Sequence, residues 1–170
     1  MADTSFLGLE RNDGGDDRTR LSGALSWQRR DVTSFGLVTT TDIMTRGDMY
    51  YAVNRGGSSL TDKNKTRLFP LGNIMTSYPL AKPVAPDLDM IVEPIMSITL
   101  VPRLDRQNDL PNEDSQSLVF DDTSLFETDK FSGYDRIEGG TRLNAGMQYT
   151  LQTTNGFLFN ALFGQSYQIG

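Results

Sequence analysis

Leu143-Asn144-Ala145-Gly146-Met147-Gln148-Tyr149-Thr150-Leu151-Gln152 alternates apolar and small or polar residues without a break. A period of two predicts a strand with an apolar face of Leu143, Ala145, Met147, Tyr149 and Leu151. The opposite face carries Asn144, Gly146, Gln148, Thr150 and Gln152. Asn155-Gly156 then supplies a tight-turn pair, since both residues tolerate positive φ. The return run sets Phe157, Phe159, Ala161 and Phe163 against Asn160, Gly164, Ser166 and Gln168, with Leu158 and Leu162 making that second face less polar. Each run of about ten residues or more exceeds the usual five or six of a soluble strand and suits a membrane-spanning one.

Upstream, strand-like and turn-like stretches alternate and helical periodicity is missing. Residues 4–10 read as a short strand, followed by a turn at Asn12-Asp13-Gly14-Gly15-Asp16-Asp17. Leu21, Gly23, Leu25 and Trp27 mark one face of the next strand. Residues 35–43 form another, and Thr45-Arg46-Gly47-Asp48 is expected to turn the chain into a separate strand at 49–54. A polar loop at 55–65 precedes an extended stretch at 67–80 that contains Pro70 and Pro79, and residues 81–88 read as a turn. Met90, Val92, Met96, Ile98 and Leu100 share an apolar face opposite Glu93, Ser97 and Thr99. Residues 102–140 are long and mostly polar. The expected fold is all-β, an antiparallel meander of about eight long strands with short turns at one end and long loops at the other. Outer-membrane barrels show that asymmetry. Pro70, Pro79 and Pro94 each remove a ladder donor and imply kinks, edges or bulges.

Composition narrows the function. A mean hydropathy of -0.39 and 37% hydrophobic residues leave no apolar run of the roughly 20 residues a helical span needs. A barrel is still allowed, because alternation dilutes the hydrophobicity of every strand. The net charge of -6 argues against a nucleic-acid partner. With no cysteine and no histidine, thiol chemistry, the usual catalytic triad and most zinc chemistry are excluded. No Gly-rich phosphate loop followed by Lys is present, so energy for any transport must come from elsewhere. No enzyme activity and no cofactor are expected.

Several motifs admit two readings. The carboxylates and glycines of residues 12–17 could make a calcium turn, but their spacing fits no EF-hand and a solvated turn explains them as well. Asp105, Asp109, Glu113, Asp114, Asp121, Asp122, Glu127 and Asp129 could serve glycoside hydrolysis or coordinate divalent cations beside lipid phosphates. A hydrated loop accounts for the same residues. Trp27, Tyr50, Tyr51, Tyr78, Tyr149 and Tyr167 fit an interfacial aromatic girdle, or ordinary sheet packing. A soluble all-β module binding calcium or carbohydrate is the alternative function that these features leave open.

The run Phe131-Ser132-Gly133-Tyr134-Asp135-Arg136, continued by Arg142-Leu143-Asn144, resembles a hallmark of the LptD family, also called organic solvent tolerance protein (OstA). Leu125-Phe126 stands at the spacing of that family's "LF", and Gly164-Gln165 resembles its "GQ" strand. Val92-Glu93-Pro94, Arg67-Leu68-Phe69-Pro70, Tyr78-Pro79-Leu80 and Asp109-Leu110-Pro111-Asn112 match further family patterns in order. The resemblance implies a large integral outer-membrane barrel of a Gram-negative bacterium that delivers lipopolysaccharide (LPS) to the outer leaflet. Its implied partners are LPS, an LptE-like plug lipoprotein, and a periplasmic LptA-like bridge reached through an N-terminal jellyroll domain. No jellyroll-like segment or signal peptide is read here, and the last residues keep a strand pattern. Residues 1–170 are therefore expected to be one portion of the barrel domain. In that setting Asn144, Gln148, Thr150 and Gln152 would line the lumen. Leu143, Met147, Tyr149, Leu151, Phe157, Phe159 and Phe163 would face lipid.

Overall fold

The computed structural model describes residues 1–9, 17–53, 63–103, 125–128, 133 and 135–169. Eight strands follow one another: β1 (Ala2–Leu9), β2 (Asp17–Val32), β3 (Val38–Val53), β4 (Lys63–Ser77), β5 (Leu80–Ala85), β6 (Leu88–Val101), β7 (Gly140–Thr153) and β8 (Leu158–Ile169). They form one antiparallel sheet in the order β1-β2-β3-β4-β6-β7-β8, with β5 also paired to β6. The sheet is an open meander, since β1 and β8 do not pair with each other. No helix among the described residues is long and apolar enough to cross a membrane, which says nothing about crossing by strands.

Alternation explains the strand lengths. β7 runs for 14 residues and β3 for 16. At about 3.3 Å per residue, 14 residues reach about 46 Å, or about 35 Å in height at a tilt of ~40°. That exceeds a hydrocarbon core of ~30 Å. The pairing of Val32 with Val38, Leu88 with Ala85 and Gln152 with Leu158 puts the short turns at one end. The connections at 10–16, 54–62 and 102–139 all belong to the other end. At the short-turn end Thr154 donates through its amide to the Asp87 carbonyl at 3.2 Å, joining two adjacent turns. Gly156 takes a φ of 87°, the left-handed conformation that the Asn-Gly pair foretold.

Two expected turns are strand instead. Residues 45–48 lie mid-strand in β3, where Thr45 pairs with Pro70 and Asp48 with Arg67. Turn-forming residue types yield there because Arg46 and Asp48 are buried and ion-paired on one face, so the alternation continues through them. Lys63 and Lys65, assigned to a loop, open β4. Residues 80–85 form β5 rather than a turn, and the chain reverses only at 86–87. The total of eight survives because one expected division disappears and one unexpected strand is added.

Pro79 and Pro94 share a defect, whereas Pro70 lies inside continuous β4 opposite Thr45. β4 and β5 lie end to end along β6, separated by Tyr78-Pro79. The Tyr78 amide donates to the Pro94 carbonyl at 3.1 Å. In an antiparallel strand the N and C=O of one residue point to the same side. The missing N–H of Pro94 therefore faces the interruption that Pro79 creates. Pro83 sits in β5, which among the described residues pairs only with β6 and tolerates an absent donor on its other edge.

Candidate functional site

The register puts the expected apolar positions that lie within strands on one face, while Phe157 stands in the turn just before β8. Phe6, Leu21 and Met49 are laterally paired, as are Leu151 with Phe159 and Met147 with Phe163. Leu25, Leu68, Met96 and Phe163 on this face are more than half exposed. Tyr149 and Phe163 meet edge to face with ring centroids 6.2 Å apart. Phe157 and Phe159 are exposed, whereas Leu143, Met147 and Leu151 are half-buried. Trp27, Tyr51, Tyr149 and Tyr167 are exposed, as a girdle requires. Tyr50 is not part of it: one residue from Tyr51, it points to the opposite face and is buried.

That opposite face, the inner wall, carries a buried charge network. Asp48 accepts from Arg46 Nε at 2.9 Å and from Arg67 Nε at 2.7 Å. Arg67 also donates to the Tyr50 hydroxyl at 3.2 Å and to the Asp135 backbone carbonyl at 2.9 Å. The Asp135 side chain pairs with Arg20, a partner 115 residues away. Arg67 stacks 5.3 Å from the Phe69 ring centroid, so the guanidinium is held by carboxylate, carbonyl and π-face together. Alternation within β2, β3 and β4 brings these groups to one patch, because cross-strand partners share a face. Bidentate arginine suits such buried carboxylate recognition better than lysine would.

Part of the long polar connection folds onto this wall. Ile137 joins Phe69, Leu71 and Val101 in a buried apolar cluster. Leu125 is buried beside Gly164, and Phe126 lies over Gly146; these two glycines pair directly between β7 and β8. A Cβ at Gly146 would stand 2.5 Å from the Phe163 carbonyl oxygen and 3.0 Å from Phe126, so glycine is required for this approach. Arg142 donates to the Thr128 carbonyl at 2.6 Å and pairs with Glu138.

A polar belt crosses the wall alongside. Gln28 donates to Asp42 at 2.7 Å, Asn73 to the same carboxylate at 3.4 Å, and Thr99 to Asn73 at 3.1 Å. Asn144 donates to Ser97 at 2.9 Å and leaves its Oδ1 buried without a hydrogen-bond partner among the described residues.

The expected lumen residues therefore share a face but differ in access. Asn144 is fully buried, Gln148 and Thr150 are half-buried, and Gln152 is exposed. Of the motif residues, Asp135 and Arg142 are buried and bonded to the wall or its loop, while Gly133 and Arg136 are half-buried. Phe131 and Ser132 lie outside the described residues, as do residues 12–16 and the acidic positions from Asp105 to Asp122 and Asp129. Glu127 is exposed. Among the described residues no group of acidic side chains is placed to hold a metal ion.

Sequence reasoning singled out Asp135 and Arg142 but missed Arg20, Arg46, Asp48 and Arg67. Their signal was present: each charge stands at an apolar-alternating strand's opposite parity, where an inward position must be paired to be buried.

No curated protein matches the chain. The family model for LptD, described as LPS transport system D, matches residues 2–170. That family serves LPS transport and assembly at the outer membrane of Gram-negative bacteria, and is not an enzyme family. An antiparallel all-β meander of long strands, matched over nearly its whole length, places this chain in the LPS transport system D family.

Proposed function

We propose that the chain is a section of the transmembrane wall of an LPS translocon, with lipid outside and a polar conduit inside. The observation that carries this reading is the outer face, where Leu25, Trp27, Leu68, Met96, Phe159 and Phe163 are each about half exposed or more among the described residues. An exposed apolar surface spread across a whole sheet marks contact with an apolar medium or partner. In a barrel it meets the bilayer, and Leu143, Met147, Tyr149, Leu151 and Phe157 belong to the same lipid-facing band. Gln148, Thr150, Gln152 and Asn144 face the lumen.

The long-loop end lies outside the cell and the short turns lie in the periplasm, in keeping with barrels of this kind. β1 and β8 are continued by further strands, since an open edge does not persist in hydrocarbon. LPS arrives through a periplasmic LptA-like bridge, and an LptE-like lipoprotein plugs the completed lumen. No step needs chemistry from these residues; the wall offers a polar path and a lipid-facing exterior.

Site-specific photocrosslinking tests the reading. A benzophenone amino acid at Gln152 in the full-length protein should capture LPS in cells, and one at Phe163 should not. Capture at Phe163 alone, or at both positions equally, would refute the assignment of faces.

A further inference from the structure

Alternation fixes more than the two faces. In an antiparallel strand, successive residues send their backbone N–H and C=O to alternate neighbours. The Tyr78 amide donates to the Pro94 carbonyl, so the even-numbered residues of β4 and β6 bond one another. Gly72 with Leu100, Ile74 with Ile98 and Thr76 with Met96 are therefore the pairs that hold β4 to β6. Carried one bonded pair upward, the register sets Pro70 opposite Pro102, and neither has an N–H to give. One bonded pair downward, Tyr78 donates to Pro94 and Pro94 has no N–H to return. Proline ends this ladder on both sides.

The other ladders of the wall run much further. Residues 17–32 pair with 38–53, residues 38–52 with 63–77, and residues 88–101 with 140–153. Strands β1 to β4 thus make one leaf and β6 to β8 another, with β5 on the second leaf through its pairing with β6. Among the described residues, strand pairing joins the leaves only where β4 meets β6, at 72–77 and 95–100. Gly72 brings no side chain to that ladder, and a Cβ there would meet nothing within 4 Å. Beyond the Pro70–Pro102 step the leaves meet through apolar side chains, Phe69 and Leu71 on one, Val101 on the other, with Ile137 among them. Such contacts are non-directional and permit small sliding that hydrogen bonds resist. At the lower step Tyr78 bridges the leaves. Its amide bonds to β6, and its ring stands beside Gly36 in the turn between β2 and β3.

We infer that the β4–β6 ladder is a hinge line built into the wall, about which the two leaves change their mutual angle without parting. Long ladders keep each leaf stiff, so a change of curvature concentrates at the short one. The ladder itself stays intact, because donors freed there would face hydrocarbon with no water to receive them. The purpose of the hinge rests on the lumen reading above: a pivot in the wall alters the width of the polar conduit as an amphiphile passes.

Double electron-electron resonance on the full-length protein in lipid nanodiscs tests this. Spin labels on F35C and N155C sit on exposed short turns of separate leaves, whereas labels on F35C and Y51C sit on the first leaf alone. The hinge predicts that the 35–155 distance distribution is at least about twofold wider than the 35–51 distribution. A disulfide in N73C/T99C, directly opposite each other across the short ladder, should narrow it towards the 35–51 width. The variant P70T/P102T should narrow it too, because it restores both missing donors, and it needs no disulfide to form. A disulfide in S26C/M44C, within the first leaf, should leave the width unchanged. Equal widths for the two label pairs would overturn the hinge. So would a wide 35–155 distribution that N73C/T99C and P70T/P102T both leave as it was, since the motion would then lie elsewhere. In cells, oxidised N73C/T99C should slow the arrival of LPS at the surface by about fivefold or more, and a reductant should restore it. Unchanged delivery despite a narrowed distribution would overturn the role of the hinge in transport. Failure of LPS capture at Gln152 would instead sink the lumen reading, and the distance measurements would still decide the hinge.

Discussion

Replacing Asp48 by alanine should be among the most damaging single changes to this wall. Asp48 is 1% exposed and receives two arginines, Arg46 at 2.9 Å and Arg67 at 2.6 Å. At an effective dielectric of ~20, each contact is worth about 6 kcal/mol of direct attraction, most of it offset by the desolvation of three charges. Removing one partner forfeits the attraction and keeps the desolvation, so the expected loss is about 3–5 kcal/mol. The lower part of that range is favoured on the Arg67 side, because Tyr50 and the Asp135 carbonyl still accept from it. Asp48→Asn keeps the shape and one acceptor, and should cost less, roughly 1–3 kcal/mol. The assay is reversible urea unfolding of the full-length barrel in phospholipid vesicles, followed by its mobility on unheated gels. A loss below about 1 kcal/mol for Asp48→Ala, where the buried-pair range begins near 3, would show that water reaches the network and refute the burial argument.

Met147→Arg should destabilise the barrel by about 2–4 kcal/mol if its side chain meets lipid near the midplane, whereas Gln148→Arg should cost little. Equal losses in the same unfolding assay would assign the alternation to a protein core. A cysteine in place of Glu127 should react with a membrane-impermeant maleimide on intact cells, and one in place of Thr154 should react only after the outer membrane is permeabilised. The opposite pattern would invert the proposed sidedness. Refolded alone in detergent, residues 1–170 should yield no compact, heat-modifiable monomer, since β1 and β8 would each present an unpaired edge to hydrocarbon. A compact monomer with full strand circular dichroism would contradict this.

The strands were legible because alternation is a local property. Leu143 to Gln152 announce β7, and Asn155-Gly156 its turn, whatever surrounds them. The motif residues Asp135 and Arg142 were legible as a pattern, but not as anchors. The boundaries misread were those where local chemistry and tertiary context disagree. Thr45-Arg46-Gly47-Asp48 has the residue types of a turn, yet pairing of Asp48 with Arg67 makes it strand interior. Residues 81–88 look like a loop, yet β6 offers β5 a ladder to join.

By itself, the sequence determined the all-β class, the long spans, the two faces and the asymmetry of the ends, because a period of two assigns each residue to a side before any partner is known. Only the tertiary structure decided which strands are continuous, that Pro79 and Pro94 meet at one interruption, and that part of a polar connection turns inward. The physical reason is that a buried guanidinium and a buried carboxylate need countercharge, and Arg20 and Asp135 meet it in each other across the fold. A contact between residues 115 positions apart leaves no periodic trace in the chain.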